Sequence, residues 1–137
     1  MGIVLDSSVL IAAERSKLPV SDLLASLGNE HRDSAFLLSA ISWMELEHGW
    51  HPAPTAEIAQ RRRRYLDEVQ IVIPIEAFTR EMGTVAAGVD AGLRKQGIVV
   101  STADLLIGAT ALFFGYSVGT RNIRHFEVIP GLHIVPL

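Results

Sequence analysis

The chain contains no cysteine. That absence removes disulfide frameworks, zinc–thiolate sites and thiol nucleophiles together, so any metal must be held by oxygen or imidazole. The start Met1-Gly2-Ile3-Val4-Leu5-Asp6 lacks a basic segment and a long apolar core, so it does not read as a signal peptide. No apolar run reaches the roughly 18–20 uncharged residues of a membrane span, which makes the cytoplasm the expected compartment. Low-complexity tracts, repeats and linkers are also missing. With 137 residues, 49% hydrophobic and 20% charged, the chain is expected to form one globular domain, residues 1–137, able to bury its own core. A net charge of −3 argues against coating nucleic acid through the overall field, although a local basic patch can still meet phosphate.

Short apolar runs alternate with helical stretches, the pattern of a parallel sheet covered by helices on both faces. Strands are expected at residues 2–5, 35–40, 70–73, 116–119 and 133–135. Helices are expected just after Asp6, near residues 21–27, from Ser42 to about Gly49, over residues 55–69, from Glu76 towards Gln96 with Gly97 as the stop, and over residues 102–114. Prolines make residues 49–54 the clearest loop.

Three acids share one kind of position. Asp6 ends the apolar run Ile3-Val4-Leu5, at a strand's carboxyl end, where open α/β sheets place their ligand crevices. Turn or cap duty also explains a lone Asp there, and Ser7-Ser8 can cap the following helix. Glu45 in Ser42-Trp43-Met44-Glu45 and Asp104 in Ser101-Thr102-Ala103-Asp104 each fit a capping box, which is a complete structural account of either acid alone. Together the three mark strand-to-helix transitions that a parallel sheet brings to one edge. Converging carboxylates repel one another and take raised pKa values unless a cation neutralises them. Mg²⁺ or Mn²⁺ suits oxygen ligands of this kind. A cation held there would lower the pKa of a bound water and stabilise charge on a phosphate under in-line attack.

Residues outside this trio have simpler readings. Arg61-Arg62-Arg63-Arg64 point round most of a helix, so a solvated face paired with Asp67 and Glu68 competes with a phosphate-contacting patch. Asp90 and Arg94 stand at helical i,i+4 spacing, as a surface ion pair does. Trp43 and Trp50 suit packing against the core or a partner, with base stacking as the other option. His48 and His125 read as exposed histidines rather than catalytic or metal-binding ones.

At these residues the sequence resembles a PIN domain, and more narrowly the VapC-type ribonuclease toxins of toxin–antitoxin pairs. The resemblance runs through Ile3-Val4-Leu5-Asp6-Ser7-Ser8, residues 39–49 around Glu45, residues 102–112 around Asp104, and Gly119-Thr120-Arg121-Asn122-Ile123-Arg124-His125-Phe126. It implies a three-layer α/β/α sandwich with a short, mainly parallel central sheet. It also implies a metal-dependent endoribonuclease whose Asp6, Glu45 and Asp104 bind Mg²⁺ or Mn²⁺, with Asn122 as auxiliary ligand, leaving 5′-phosphate and 3′-hydroxyl ends. Arg121 and Arg124, flanking Asn122, are expected to meet phosphate. The implied partners are an RNA substrate, a cognate antitoxin, a second copy in a homodimer, and DNA only indirectly through the antitoxin, with no membrane. Two departures stand out: Asn122 supplies an amide where some members carry Asp, and His125 stands where many carry an acid. The rival reading is a PIN-like binding module, weakly active or inactive, acting through an antitoxin in a DNA-binding complex. A third is an α/β protein whose acids only cap helices.

Overall fold

The computed structural model describes residues 1–50 and 53–137, the side chain of Trp50 excepted. The first strand, β1 (Gly2–Leu5), is buried along its whole length, as a central parallel strand must be. Helices α1 (Ser7–Arg15) and α2 (Val20–Glu30) lead to β2 (Ala35–Ser39). Helices α3 (Ala40–Trp50) and α4 (Ala56–Val72) then precede the two-residue strand β3 (Ile75–Glu76). Helices α5 (Arg80–Lys95) and α6 (Thr102–Phe114) lead to β4 (Ser117–Thr120), and β5 (Ile134–Pro136) closes the chain. All five strands are parallel, in the order β3-β2-β1-β4-β5.

Alternation along the strands splits the core in two. Ile3, Leu5 and Leu38 face α1 to α4, packing with Leu10, Val20, Leu66 and Val69. Val4, Leu37 and Val118 face the other way, towards Leu93, Ile107 and Phe126. Helices therefore cover both faces, which is the expected three-layer sandwich.

Several local expectations need correction. Residues 70–73 are not a strand: α4 runs to Val72, and the strand is Ile75–Glu76. Leu66, Val69 and Ile73 are buried at helical spacing while Ile71 is 81% exposed, a period no buried strand could show. The helix expected at Ser42 opens at Ala40, because the Ser39 hydroxyl accepts the Ser42 N–H at 3.1 Å and so occupies the cap position. The helix expected from Glu76 opens at Arg80, capped by Thr79, whose hydroxyl accepts the Met82 N–H at 3.3 Å. It ends before Gly97, whose φ of +74° suits the stop assigned to it. No strand lies between α5 and α6, so the transition before Asp104 is helix to helix rather than strand to helix. Of the loop expected at residues 49–54, Gly49 and Trp50 belong to α3, while His51 and Pro52 lie outside the described residues.

Two details fix the edge of the sheet. The Asp6 N–H bonds the Gly119 carbonyl at 2.8 Å, joining the end of β1 to β4. A Cβ on Gly119 would come within 2.8 Å of both Ile3 and Leu137, so only glycine allows that close approach.

Candidate functional site

Asp6 is only 4% exposed and occupies the N-cap position of α1, yet its side chain makes no capping bond. Its Oδ2 instead accepts hydrogen bonds from Ser8 Oγ at 2.8 Å and Thr120 Oγ1 at 2.9 Å. The same two hydroxyls hold the chain beyond β4: Ser8 Oγ accepts the Arg121 N–H at 3.2 Å and Thr120 Oγ1 the Asn122 N–H at 2.9 Å. Asp6 and the loop carrying Asn122 thus share one hydrogen-bonded unit.

Glu45 lies in the second turn of α3, too far along for the capping box expected of Ser42-Glu45. Its Oε1 accepts from Ser7 Oγ at 3.1 Å. Burial pushes its carboxyl above the usual 4.5, the Ser7 hydrogen bond opposes that shift, and the charges of Asp6 and Asp104 add to it. Glu45 is therefore close enough to feel the charge of both other acids.

Asp104 reaches this edge because α6 runs back against the strands before entering β4. Ser101 caps α6, accepting the Asp104 N–H at 3.3 Å and donating its hydroxyl to Asp104 Oδ2 at 2.7 Å. Here the capping role and a place at the edge coexist. Asn122 stands at the exposed rim, where its carbonyl accepts the His125 N–H at 3.1 Å and opens a 3-10 turn over Ile123–His125. Arg121, Asn122, Arg124 and His125 line a shallow cavity of about 350 Å³, which places both expected phosphate contacts beside Asn122.

The sequence undervalued His125. Its ring is exposed, as expected, but Nδ1 stands 3.4 Å from Asp104 Oδ2, which makes it a member of the acidic edge. No local signal could have paired two residues so far apart in the chain. Ser7, Ser8, Ser101 and Thr120 are the donors that orient the acids; the first two and Thr120 stand out in the sequence as short hydroxyl residues beside the acidic centre, where capping and turn roles account for them equally well. His48 is exposed in the last turn of α3, and Trp43 packs against the core, as expected. The pair Asp90–Arg94 forms at 2.8 Å.

The arginine run is less solvated than its composition suggests. Arg63 bonds both carboxylate oxygens of Glu47, at 3.0 and 2.9 Å, and also Asp67 at 3.1 Å. Arg62 Nη1 donates to the Gly49 carbonyl at 2.9 Å. These two tie α4 to α3, while Arg61 and Arg64 turn towards the groove beside α1.

The donors at the edge are carboxylate oxygens and an amide, which suit a hard divalent cation. Among the described residues no group of three or more His, Asp or Glu side chains is drawn tightly enough to hold a metal ion by itself. The arrangement fits a cation that keeps part of its water shell, the usual state of protein-bound Mg²⁺.

The family model described as "PIN domain" matches residues 3–131. Ribonuclease VapC1 of Rickettsia felis is 30% identical over 135 residues, spanning 98% of this chain and 96% of its own. Ribonuclease VapC of Rickettsia bellii is 29% identical over 139 residues, spanning 100% and 98%. Among solved structures, VapBC2 from Rickettsia felis, bound to a DNA fragment from its promoter, has a TM-score of 0.86 at 21% identity. The match covers 100% of this chain and 99% of that one. The DNA-bound VapBC of Salmonella typhimurium gives 0.84 at 23% identity, over 99% and 98%.

Proposed function

The chain belongs to the PIN-domain family and is a ribonuclease toxin of the VapC type, and from that premise we propose that its acidic edge cleaves RNA internally with the help of a divalent cation. The observation that carries this reading is that Glu45, whose pKa is raised first by its burial, also feels the charges of Asp6 and Asp104, so three carboxylates gather at one edge. Negative charge gathered at one point opposes folding unless something cationic is meant to be held there.

Asp6, Glu45 and Asp104 would hold Mg²⁺ or Mn²⁺, with Asn122 as an auxiliary oxygen donor. When bound, such a cation supplies Lewis-acid stabilisation of phosphate charge and a lowered pKa for water. The protein's own share is positioning. Ser8 and Thr120 fix the buried Asp6 carboxylate, Ser7 fixes Glu45, and Ser101 fixes Asp104. Arg121 and Arg124 bind the phosphates of the entering strand, because guanidinium groups match phosphate oxygens in geometry and charge. His125, beside Asp104, stands on the same side as those arginines.

An antitoxin is the expected protein partner, supported by the likeness to VapBC complexes. The active form is a homodimer, and contact with DNA runs through the antitoxin. No described helix is long and apolar enough to cross a membrane.

The deciding experiment incubates partner-free protein with RNA and either Mn²⁺ or Mg²⁺, against EDTA and against Asp6→Asn. Cleavage that requires the cation and Asp6 is the expected result. Cleavage that persists in EDTA would remove the cation from the reading, and no cleavage under any condition would favour the inactive binding module.

A further inference from the structure

A cleft of about 160 Å³ opens directly on the acidic edge, since Glu45 forms part of its wall. It lies between α1, α3 and α4. Ile11 and Leu66 give it an apolar floor, and Tyr65 adds an aromatic ring anchored by its hydroxyl, which donates to the Leu10 carbonyl at 2.9 Å. The charged groups in its wall are Glu14, Glu45, Arg15 and Arg62. Arg62 spends one N–H on the Gly49 carbonyl. A guanidinium has five N–H donors in all, so others are left for a ligand.

Resting on the ribonuclease reading above, we propose that this cleft is a nucleotide subsite beside the scissile phosphate, and that it selects guanine. The geometry offers an apolar and aromatic slot with two guanidiniums and two carboxylates in its wall, of which Glu45 faces the acidic edge and Glu14 is left to read a base. Single-stranded RNA is recognised in this way, by stacking an unpaired base and reading its edges. Guanine presents two acceptors, O6 and N7, which arginine meets as a fork, and amide and amino N–H groups, which a carboxylate accepts. Adenine and cytosine lack the amide proton, and uracil lacks the amino group beside it. Burial raises the pKa of Glu14, while the charges of Arg62, Arg15 and Arg61 oppose that shift and favour the hydrogen-bond-accepting carboxylate.

The path continues outward. A second cavity of about 450 Å³ shares Glu14 and Tyr65 with the first and adds Lys17, Arg61 and Arg64. The groove also holds Glu14 and Glu68, so its three cations outnumber its acids by one, a local positive balance in a chain of net charge −3 that suits a phosphate backbone. The arginine run is thereby divided: Arg62 borders the base, Arg61 and Arg64 border the strand that follows, and Arg63 fastens α4 to Glu47.

The test sequences the ends produced from a random RNA pool by wild type, Glu14→Gln and Arg15→Gln, each first shown to be folded by circular dichroism. Wild type should enrich guanine at one fixed position relative to the cut. Both variants should lose about tenfold of that enrichment, the scale of one bidentate base contact, while still cutting at other sites. A companion fluorescence titration of cation-free protein with 5′-GMP and 5′-AMP should show tighter GMP binding that Glu14→Gln abolishes. Failure of all cleavage with GMP preference intact would sink the ribonuclease reading and keep the subsite. Cleavage with no guanine enrichment, or with enrichment unmoved in both variants, would overturn the subsite. So would an unmoved base preference accompanied by weakened antitoxin inhibition, which would give the cleft to the protein partner.

Discussion

Thr120→Val tests the hydrogen-bonded unit beneath the acidic edge. Valine matches threonine in shape but removes a hydroxyl that donates to Asp6 Oδ2 at 2.9 Å and accepts the Asn122 N–H at 2.9 Å. The first bond serves a carboxylate that is 4% exposed, and hydrogen bonds to charged groups contribute about 1.5–3 kcal/mol. The second is an ordinary bond of about 1 kcal/mol, softened because Asn122 sits where water can replace the partner. The sum is a loss of about 2–4 kcal/mol, and at roughly 3–5 °C per kcal/mol for a chain of this size, Tm falls by about 6–20 °C. Thr120→Ser keeps both bonds and gives up a methyl, so it should cost only about 1 kcal/mol. Because Ser8 donates to the same Asp6 oxygen, Ser8→Ala and Thr120→Val should be coupled, the double variant losing about 1 kcal/mol more than the two single losses added. Urea denaturation of the four proteins supplies the numbers. A Thr120→Val loss under about 0.5 kcal/mol, the scale of an unremarkable surface change, would refute the argument.

Asp6→Asn should abolish RNA cleavage while leaving Tm equal or higher, since one source of repulsion on Glu45 disappears; a fully active variant would remove Asp6 from the chemistry. Glu45 gives a signed pH effect. Its folded pKa is raised above 4.5, chiefly by burial, so its contribution is present below that value and lost as pH rises through the folded pKa. Wild type should therefore lose stability relative to Glu45→Gln as pH climbs above about 4.5, and parallel profiles for the two proteins would contradict the shift. Asn122→Asp adds a charge at the rim and should tighten Mn²⁺ binding in calorimetric titration; unchanged affinity would take Asn122 out of the cation site.

The sequence carried the layers well and the boundaries poorly. Residues 2–5 are legible because a short apolar run ending in an acid has few other meanings, and β1 is indeed buried throughout. The strand β3 was illegible for the opposite reason: two residues, one of them Glu76, carry almost no pattern, whereas the apolar tail of α4 next to it imitates a strand. At α3 the pattern Ser42-Trp43-Met44-Glu45 points to Ser42 as the cap, whereas the observed bond from Ser42 N to Ser39 Oγ gives that place to Ser39, one turn earlier. The arginine run shows a further limit. Composition announces its charge, but its pairing with Glu47 and the Gly49 carbonyl depends on how two helices cross, which no window of sequence contains.

The acids were legible as a set because each stands near a helix start, and Ser7, Ser8 and Thr120 were legible as short hydroxyl residues beside them, but which hydroxyl bonds which acid was not. Each takes its hydrogen bond from a hydroxyl: Asp6 from Ser8 and Thr120, Glu45 from Ser7, Asp104 from Ser101. The choice of donor has a consequence that charge counting misses. A lysine or arginine at these places would stabilise a buried carboxylate by neutralising it, and the edge would then present no field to a cation. A hydroxyl offsets part of the desolvation and fixes the rotamer while leaving the charge in place, so the remaining repulsion, visible in Glu45, is still available to be relieved by something from solution.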